Sequence, residues 1–231
     1  MWESLGWGTL AASSLLVGAL VGLARPWPGR LVGLVLGFGA GALISAVSFE
    51  LAEEGIDVGG ATAVAIGLAV GALTYYAASS VLASRSGGSD TGSALALGAF
   101  LDGIPEQLVL GIGLAGGGGV SVSLLAAIYV SNLPEAVGGA SDMQRAGQAR
   151  SGVLRLWLGV TVVCALATPL GFEIADRASN ELQGAINGFA AGALLVMLVD
   201  SMIPEATRQA GRTTGLVTAL GFAVAAGLSL A

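Results

Sequence analysis

Apolar stretches long enough to cross a lipid bilayer fill nearly the whole of this chain. Windows of about 20 predominantly apolar residues predict eight spans, at residues 4–24, 31–52, 59–83, 93–115, 119–141, 152–173, 182–203 and 213–231. The connections are too short to hold a soluble domain, and only 10% of the 231 residues are charged. We therefore predict an all-α integral membrane protein, with eight transmembrane helices in a single domain of residues 1–231.

The charged residues near the ends of the spans predict an orientation. Residues 1–6 carry Glu3 and no basic residue, so we expect the first span to be a retained helix rather than a signal peptide. The chain has no lysine, and most of its arginines follow odd-numbered spans, at Arg25, Arg30, Arg85, Arg145, Arg150, Arg208 and Arg212. Because basic residues favour the inner side of a membrane, both termini are predicted to lie outside.

Two similar phrases predict an internal repeat. Residues 38–43 read FGAGAL and residues 189–194 read FAAGAL, and a glutamate follows each at the same spacing, at Glu54 and Glu205. The second and seventh spans that carry them cross the membrane in opposite directions. We predict a 3+2+3 arrangement, in which inverted repeats of about residues 1–83 and 152–231 flank a central pair at 93–141. The open alternative is that these small residues serve only close helix packing.

The central pair carries two phrases in which a glutamate follows a proline. Residues 102–106 read DGIPE and residues 131–135 read SNLPE. A charged side chain at the centre of a bilayer costs on the order of 2.5–3.5 kcal/mol, and a proline removes a helical hydrogen bond, so both features need a compensating reason. Helical spacing places Asp102 and Glu106 on one face, and Ser131, Asn132 and Glu135 on another.

If these two faces meet, they form a cluster of oxygen ligands with three carboxylates. Such a cluster attracts a divalent cation and repels anions. The alternative is that the carboxylates are protonated and bonded between packed helices, with the prolines as simple kinks. Since ionisable residues inside a membrane usually mark ion pathways, we predict a metal site at Asp102, Glu106, Asn132, Glu135 and Ser131.

The spans, the small-residue motifs and the paired Pro-Glu phrases together resemble the ZIP (Zrt-, Irt-like) family of divalent metal transporters, over essentially the full chain. In that family the fourth span typically reads His-Asn-x-Pro-Glu, the fifth His/Gln-Glu/Asp-x-Pro-Glu, and the sixth often has Glu before Pro-Leu-Gly. The matching residues here are Asp102 and Gly103, then Ser131 and Asn132, then Thr168. The resemblance implies a prokaryotic member with a degenerate metal site.

The resemblance also implies a function. It implies transport of zinc, iron or manganese, as substrate, across the cell membrane (inner or plasma) through a carboxylate-lined path between helices 4 and 5. It adds Glu50, Asp200 and Thr168 as further candidate residues, and it implies no organic cofactor and no catalysed reaction. The expected partners are the divalent cation and the lipid bilayer, and a homodimer is left open.

Two further inferences limit the classes of function. The net charge of −6 and the absence of lysine leave nucleic acid no surface to bind. The departures from the family motifs, at Gly103 and Thr168 above all, support an alternative: a non-transporting ZIP-like membrane protein with a vestigial or structural metal site.

Overall fold

Long helices make up the protein in the part that its structure, a computed structural model, describes: residues 2–25, 27–85, 91–115 and 119–229, without the side chains of residues 82, 83, 85, 91–102, 123 and 142. We number the helices α1 to α8 in chain order. Their bounds are Trp2–Ala24, Gly29–Gly59, Ala61–Arg85, Thr91–Ala115, Val122–Arg145, Arg150–Asp176, Asn180–Ala210 and Thr213–Ser229.

Several of these helices have the length and composition of membrane spans. Within the described ranges, five are long and apolar enough to cross a bilayer: α1, α2, residues Ala61–Val81 of α3, α6 and α7. Two shorter apolar stretches are Gly103–Ala115 of α4 and the whole of α8. The protein is therefore all-helical with multiple membrane-spanning helices, as the sequence predicts.

Helices α2 and α7 run beyond the predicted ends of their spans, residues 52 and 203. Each has 31 residues, and each contains a wider π-helical segment after 18 α-helical residues, at Val47–Glu53 in α2 and Leu198–Met202 in α7. Pro204 stands in the first turn after the second π segment, where a missing N–H costs little. Gly60 and Gly211 then end the two helices with φ of 85° and 64°, which glycine adopts without steric cost.

The packing of α2 and α7 repeats in the same way. Helix α8 packs along α2, and α3 packs along α7. Gly41 of α2 lies against the backbone of Thr218, and Gly192, at the matching place in α7, lies against the backbone of Leu68. The small residues of the repeated phrase therefore do allow close helix packing, and they do so at equivalent positions.

The helices pack in two groups that do not follow chain order. Helix α1 packs along α5 and α6, and α4 packs along α6, around a core that includes Leu15, Met143 and Trp157. The other group contains α2, α3, α7 and α8. Helices α4 and α5 face α2 and α7 across the boundary between the groups, and Gly39 of α2 lies against the backbone of Ser131. The Pro-Glu phrases are thus placed where the two groups meet.

Candidate functional site

One cavity of about 180 Å³ joins the two Pro-Glu phrases. Glu106 of α4 and Ser131 and Glu135 of α5 line it, together with Ser201 and Glu205 of α7. The other lining residues are Val32, Leu36, Pro134, Gly138, Gly139, Met197, Met202 and Gln209. This space, the first cavity, brings together two of the three predicted carboxylates and adds a third, Glu205.

Glu106 is the most deeply placed acid of the first cavity. Its side chain is only 2% exposed. The hydroxyl of Ser131 approaches Glu106 Oε1 at 3.2 Å and the carbonyl oxygen of Ile128 at 3.0 Å, so it can donate to either. A carboxylate removed from water at this depth is unfavourable unless it is protonated, paired or used to bind a cation.

Local sequence explains why space remains beside these acids. Pro105 and Pro134 lie inside α4 and α5, each directly before its glutamate. Two glycines then follow in α5, and the nearest atom to a Cβ placed on Gly138 would be Val32 Cγ1, at 3.9 Å. The α5 side of the first cavity is therefore open because side chains are absent there.

The first cavity continues toward one end of the helix bundle. A neighbouring space of about 300 Å³, the vestibule, shares Val32, Gly138 and Gln209 with it. The vestibule is also lined by Gly29, Arg145 and Arg208. Because α2 begins at Gly29 and α5 ends at Arg145, the vestibule lies at that end of the bundle.

A second cavity, of about 590 Å³, lies toward the opposite end. Its polar lining comes from Glu50, Glu54, Ser121, Asn187 and Ser229, and the Ser229 hydroxyl donates to Glu50 Oε1 at 3.1 Å. The other lining residues are Leu51, Val109, Leu110, Gly113, Leu114, Gly119, Val120, Val122, Leu124 and Leu228. The two cavities share no lining residue among those described.

The other predicted site residues are dispersed. Asn132 is buried, is not among the residues lining the first cavity, and its Nδ2 has no hydrogen-bond partner among the described residues. Asp200 is exposed within the π segment of α7, and Glu50 lines the second cavity. The side chain of Asp102 lies outside the described residues, so its predicted role stays a prediction.

Thr168 faces α4 rather than the first cavity. It is fully buried, and its hydroxyl donates to Gln107 Oε1 at 2.6 Å. A Cβ placed on the neighbouring Gly8 of α1 would lie 2.5 Å from Thr168 Oγ1, so the hydroxyl is enclosed by three helices. Thr168 therefore acts in helix packing in this structure.

The acids of the first cavity can contribute oxygen ligands to a cation. Among the described side chains, no group of three histidine, cysteine, aspartate or glutamate residues could hold a metal ion. Glu106 and Glu135 contribute two carboxylates, and the hydroxyl of Ser131 adds a third oxygen beside them. Hard divalent cations accept such a set and complete it with water.

One comparison with known proteins bears on this arrangement. A curated protein of Arabidopsis thaliana named "Putative zinc transporter" is 29% identical to this chain over 193 residues. The match covers 77% of this chain but only 30% of the relative, so the chain spans less than a third of that protein's length. No protein-family model matches the chain.

Two residues near the Pro-Glu phrases were not predicted as site residues. Glu205 lines the first cavity with Ser201 and Gln209, and this spacing of four residues places all three on one helix face. That periodicity, added to the match with Glu54, is a signal that could have identified Glu205. Gln107 gives no such signal, because its partner Thr168 lies on another helix.

Proposed function

We propose that this chain transports divalent metal cations across a membrane, as a member of the ZIP family. One observation carries the proposal: Glu106, only 2% exposed, shares a cavity with Glu135 at the boundary between two groups of apolar helices. A buried carboxylate and a half-buried one in the same cavity favour a cation over an anion or a neutral solute. The name of the A. thaliana relative, "Putative zinc transporter", adds support.

The proposed path runs between α4 and α5 and uses the predicted residues Asp102, Glu106, Ser131, Asn132 and Glu135. In this proposal all eight helices span the cell membrane with both termini outside, and the arginine-rich vestibule faces the cytosol. Helices α2 and α7 belong to inverted repeats. Their equal length and their π segments after the same number of α-helical residues support this relation. No reaction and no organic cofactor are part of the proposal.

Ligand chemistry narrows the proposed substrate. The chain contains no histidine, and its single cysteine, Cys164, is buried in the core between α1, α5 and α6. The first cavity therefore offers no imidazole or thiolate, and its charged donors are carboxylate oxygens, with the neutral thioethers of Met197 and Met202 as its sulfur. Carboxylates suit Mn²⁺ and Fe²⁺, while Zn²⁺ prefers nitrogen and sulfur but accepts carboxylates. We propose that Mn²⁺ and Fe²⁺ compete well with Zn²⁺ here.

Metal uptake into proteoliposomes tests the function. We expect the purified wild-type chain to take up Zn²⁺ or Mn²⁺, and unlabelled cations of the same class to compete. The double variant Glu106→Gln/Glu135→Gln should reduce uptake to the level of empty liposomes, because it keeps the side-chain volumes and removes both charges. Glu53→Gln is the matched control, since Glu53 is an exposed acid of α2 that lines neither cavity. Equal uptake by wild type and the double variant would reject the proposal.

A non-transporting membrane protein is the second candidate, and one observation favours it. At Gly103 and Thr168, where ZIP family members carry metal ligands, this chain has residues that pack against neighbouring helices. A Cβ on Gly103 would lie 2.7 Å from Cys164 Sγ, and Thr168 is bonded to Gln107. The same assay separates the two candidates: no flux by wild type, together with a thermal stability that rises with added metal, supports this second one.

A further inference from the structure

We propose that the second cavity contains a separate binding site for a hydrated divalent cation, formed by Glu50, Glu54 and the Oδ1 atom of Asn187. This site lies toward the end of the bundle opposite the vestibule. Along α4, the buried Val109 and Leu110 stand between Glu106 and the remainder of the second cavity. An ion in the second cavity would therefore be distinct from one held by Glu106 and Glu135.

The amide of Asn187 is the first observation that points to a ligand. Asn187 is only 5% exposed and lines the second cavity, and its Oδ1 atom has no hydrogen-bond partner among the described residues. A buried carbonyl oxygen that lacks a partner loses its hydration without compensation. A bound cation, or the water that the cation holds, would supply the missing partner.

The contact of two helices brings Asn187 near an acid. A Cβ placed on Gly55 of α2 would lie 3.0 Å from the Cβ of Asn187 in α7. Gly55 directly follows Glu54, which lines the same cavity. The close approach therefore brings Asn187 to the part of α2 that carries Glu54 without help from a ligand.

The charges around this amide favour a cation. Glu50 and Glu54 are close enough for their charges to repel each other, and no basic side chain is among the described residues that line the second cavity. Ser121 and Ser229 add hydroxyl oxygens to the same wall. Carboxylate, amide and hydroxyl oxygens are the ligands of hard divalent cations, and a cavity of about 590 Å³ leaves room for the water that such ions retain.

A comparison of α7 with α2 indicates that packing of these helices does not require an amide at the position of Asn187. Counted from the starts of α7 and α2, the residue that matches Asn187 is Leu36. Leu36 lines the first cavity, so the matching position there is aliphatic, and the amide that α7 contributes to that cavity, Gln209, lies at a different place in the helix. An asparagine at this position is therefore specific to the second cavity. A role of this second site in transport, as a place where cations bind before they reach Glu106, rests on the proposed function. Binding of a cation to the site can be measured without transport.

Titration with Mn²⁺ alone, followed by the electron paramagnetic resonance signal of the free ion, tests the site on the full chain in detergent. In the Glu106→Gln/Glu135→Gln background we expect Mn²⁺ binding to persist. Adding Glu54→Gln should weaken that binding by at least about tenfold, or about 1.4 kcal/mol. Adding Asn187→Leu, which copies Leu36, should weaken it several-fold, and Glu53→Gln should leave it unchanged.

A second substitution guards against a misfolded leucine variant. Asn187→Asp adds a negative ligand and should tighten Mn²⁺ binding, so unchanged or weaker binding by this variant overturns the inference. Loss of all Mn²⁺ binding in the Glu106→Gln/Glu135→Gln background, or binding that Glu54→Gln does not alter, also overturns it. These outcomes concern the second cavity alone, because the proposed function is tested by uptake: it fails if the wild type takes up no metal or if uptake survives Glu106→Gln/Glu135→Gln.

Discussion

The two cavities lie where α2 crosses α7, and they differ most in the charge beside one matching acid. Glu205 lines the first cavity and Glu54 the second, each at the same place after the start of a π segment. Arg208 binds both oxygens of Glu205, with Nε 2.9 Å from Oε2 and Nη2 2.6 Å from Oε1, and Gln209 donates to Oε1 as well. Three residues after Glu54 the chain has Asp57 instead. One acid is thus neutralised, while its counterpart stands beside further negative charge.

The residues that follow the two Pro-Glu phrases differ in a parallel way. Val109 and Leu110 come one turn after Glu106, and Gly138 and Gly139 hold the same positions after Glu135. The aliphatic pair is buried and lines the second cavity, whereas the glycine pair lines the first cavity, which shares Gly138 with the vestibule. Together, the contrasts show that matching phrases differ in neighbouring charge and in side-chain size: the acids of the second cavity stand beside bulky aliphatic residues, and those of the first cavity beside glycines.

The largest expected effect on metal uptake comes from giving α5 the valine that α4 has at the matching position. Gly138→Val copies Val109 into α5, and the nearest atom to the new Cβ is 3.9 Å away, so the backbone need not move. We expect the side chain to narrow the route from the first cavity to the vestibule. Metal uptake should fall by at least about tenfold, which corresponds to about 1.4 kcal/mol of added barrier, while thermal stability stays near that of wild type.

Gly159→Val is the control for this change. Gly159 is an exposed position of α6, and a Cβ placed on it would meet no neighbouring atom within 4 Å. The control should transport as wild type does. Uptake by Gly138→Val that equals uptake by Gly159→Val would show that the glycine pair does not lie on the route.

A smaller effect is expected when the charge contrast is removed. Arg208→Gln frees the carboxylate of Glu205, so cations should bind the first cavity more tightly. The side chain of Glu205 is 37% exposed and that of Arg208 is 70% exposed. Because partly exposed ion pairs contribute less than about 1 kcal/mol, we expect the affinity for Mn²⁺ to rise by about two- to fivefold. Mn²⁺ titration of a Glu54→Gln background, in which the second cavity is weakened, measures it.

The same titration in a Glu205→Gln background tests the cause. The effect of Arg208→Gln should disappear there, because Arg208 acts through that carboxylate. Arg212→Gln, at the arginine of the turn between α7 and α8, is the control and should not alter binding. A gain that persists without Glu205 would assign the effect to long-range charge rather than to the ion pair.

The smallest expected effect concerns the packed side of α4. Thr168→Val removes the hydroxyl that donates to Gln107 and leaves a buried amide oxygen without that donor. Hydrogen bonds between membrane helices contribute about 1 kcal/mol, so the melting temperature should fall modestly. The ratio of Zn²⁺ to Mn²⁺ uptake should not change. A changed ratio would place Thr168 among the metal ligands, as the family resemblance implies.

The sequence predicted the helices well because long apolar runs leave few alternatives in a membrane protein. It also predicted that Glu106, Ser131 and Glu135 come together, since the matched phrases fix one face of each central helix. It missed the ends of α2 and α7, where charged residues after Leu51 and before Arg208 resemble a loop. In the structure these segments stay helical, because their backbone hydrogen bonds are retained as far as Gly60 and Gly211.

The rest of the site depends on contacts between distant parts of the chain. Gln107 meets Thr168, and Asn187 reaches the second cavity, only after α4 has packed on α6 and α7 has crossed α2. Neither residue has a local pattern that distinguishes a ligand from a packing residue. The neutralisation of Glu205 was in principle readable, because Arg208 follows at helical spacing, yet its importance depends on the cavity that Glu205 lines.

The π segments of α2 and α7 also affect helical-wheel projections of these helices and the placement of single-residue gaps in them. A wider turn advances each residue less around the axis, so a helical wheel with 3.6 residues per turn misplaces every side chain after Val47 or Leu198. A π turn holds about one residue more than an α turn, so removing a single residue from either segment would restore α-helical geometry there. The following turn would stay helical, and Glu54 or Glu205 would keep nearly the same direction. In alignments of related chains these two segments are therefore the places where a single-residue gap in α2 or α7 need not redirect an acid.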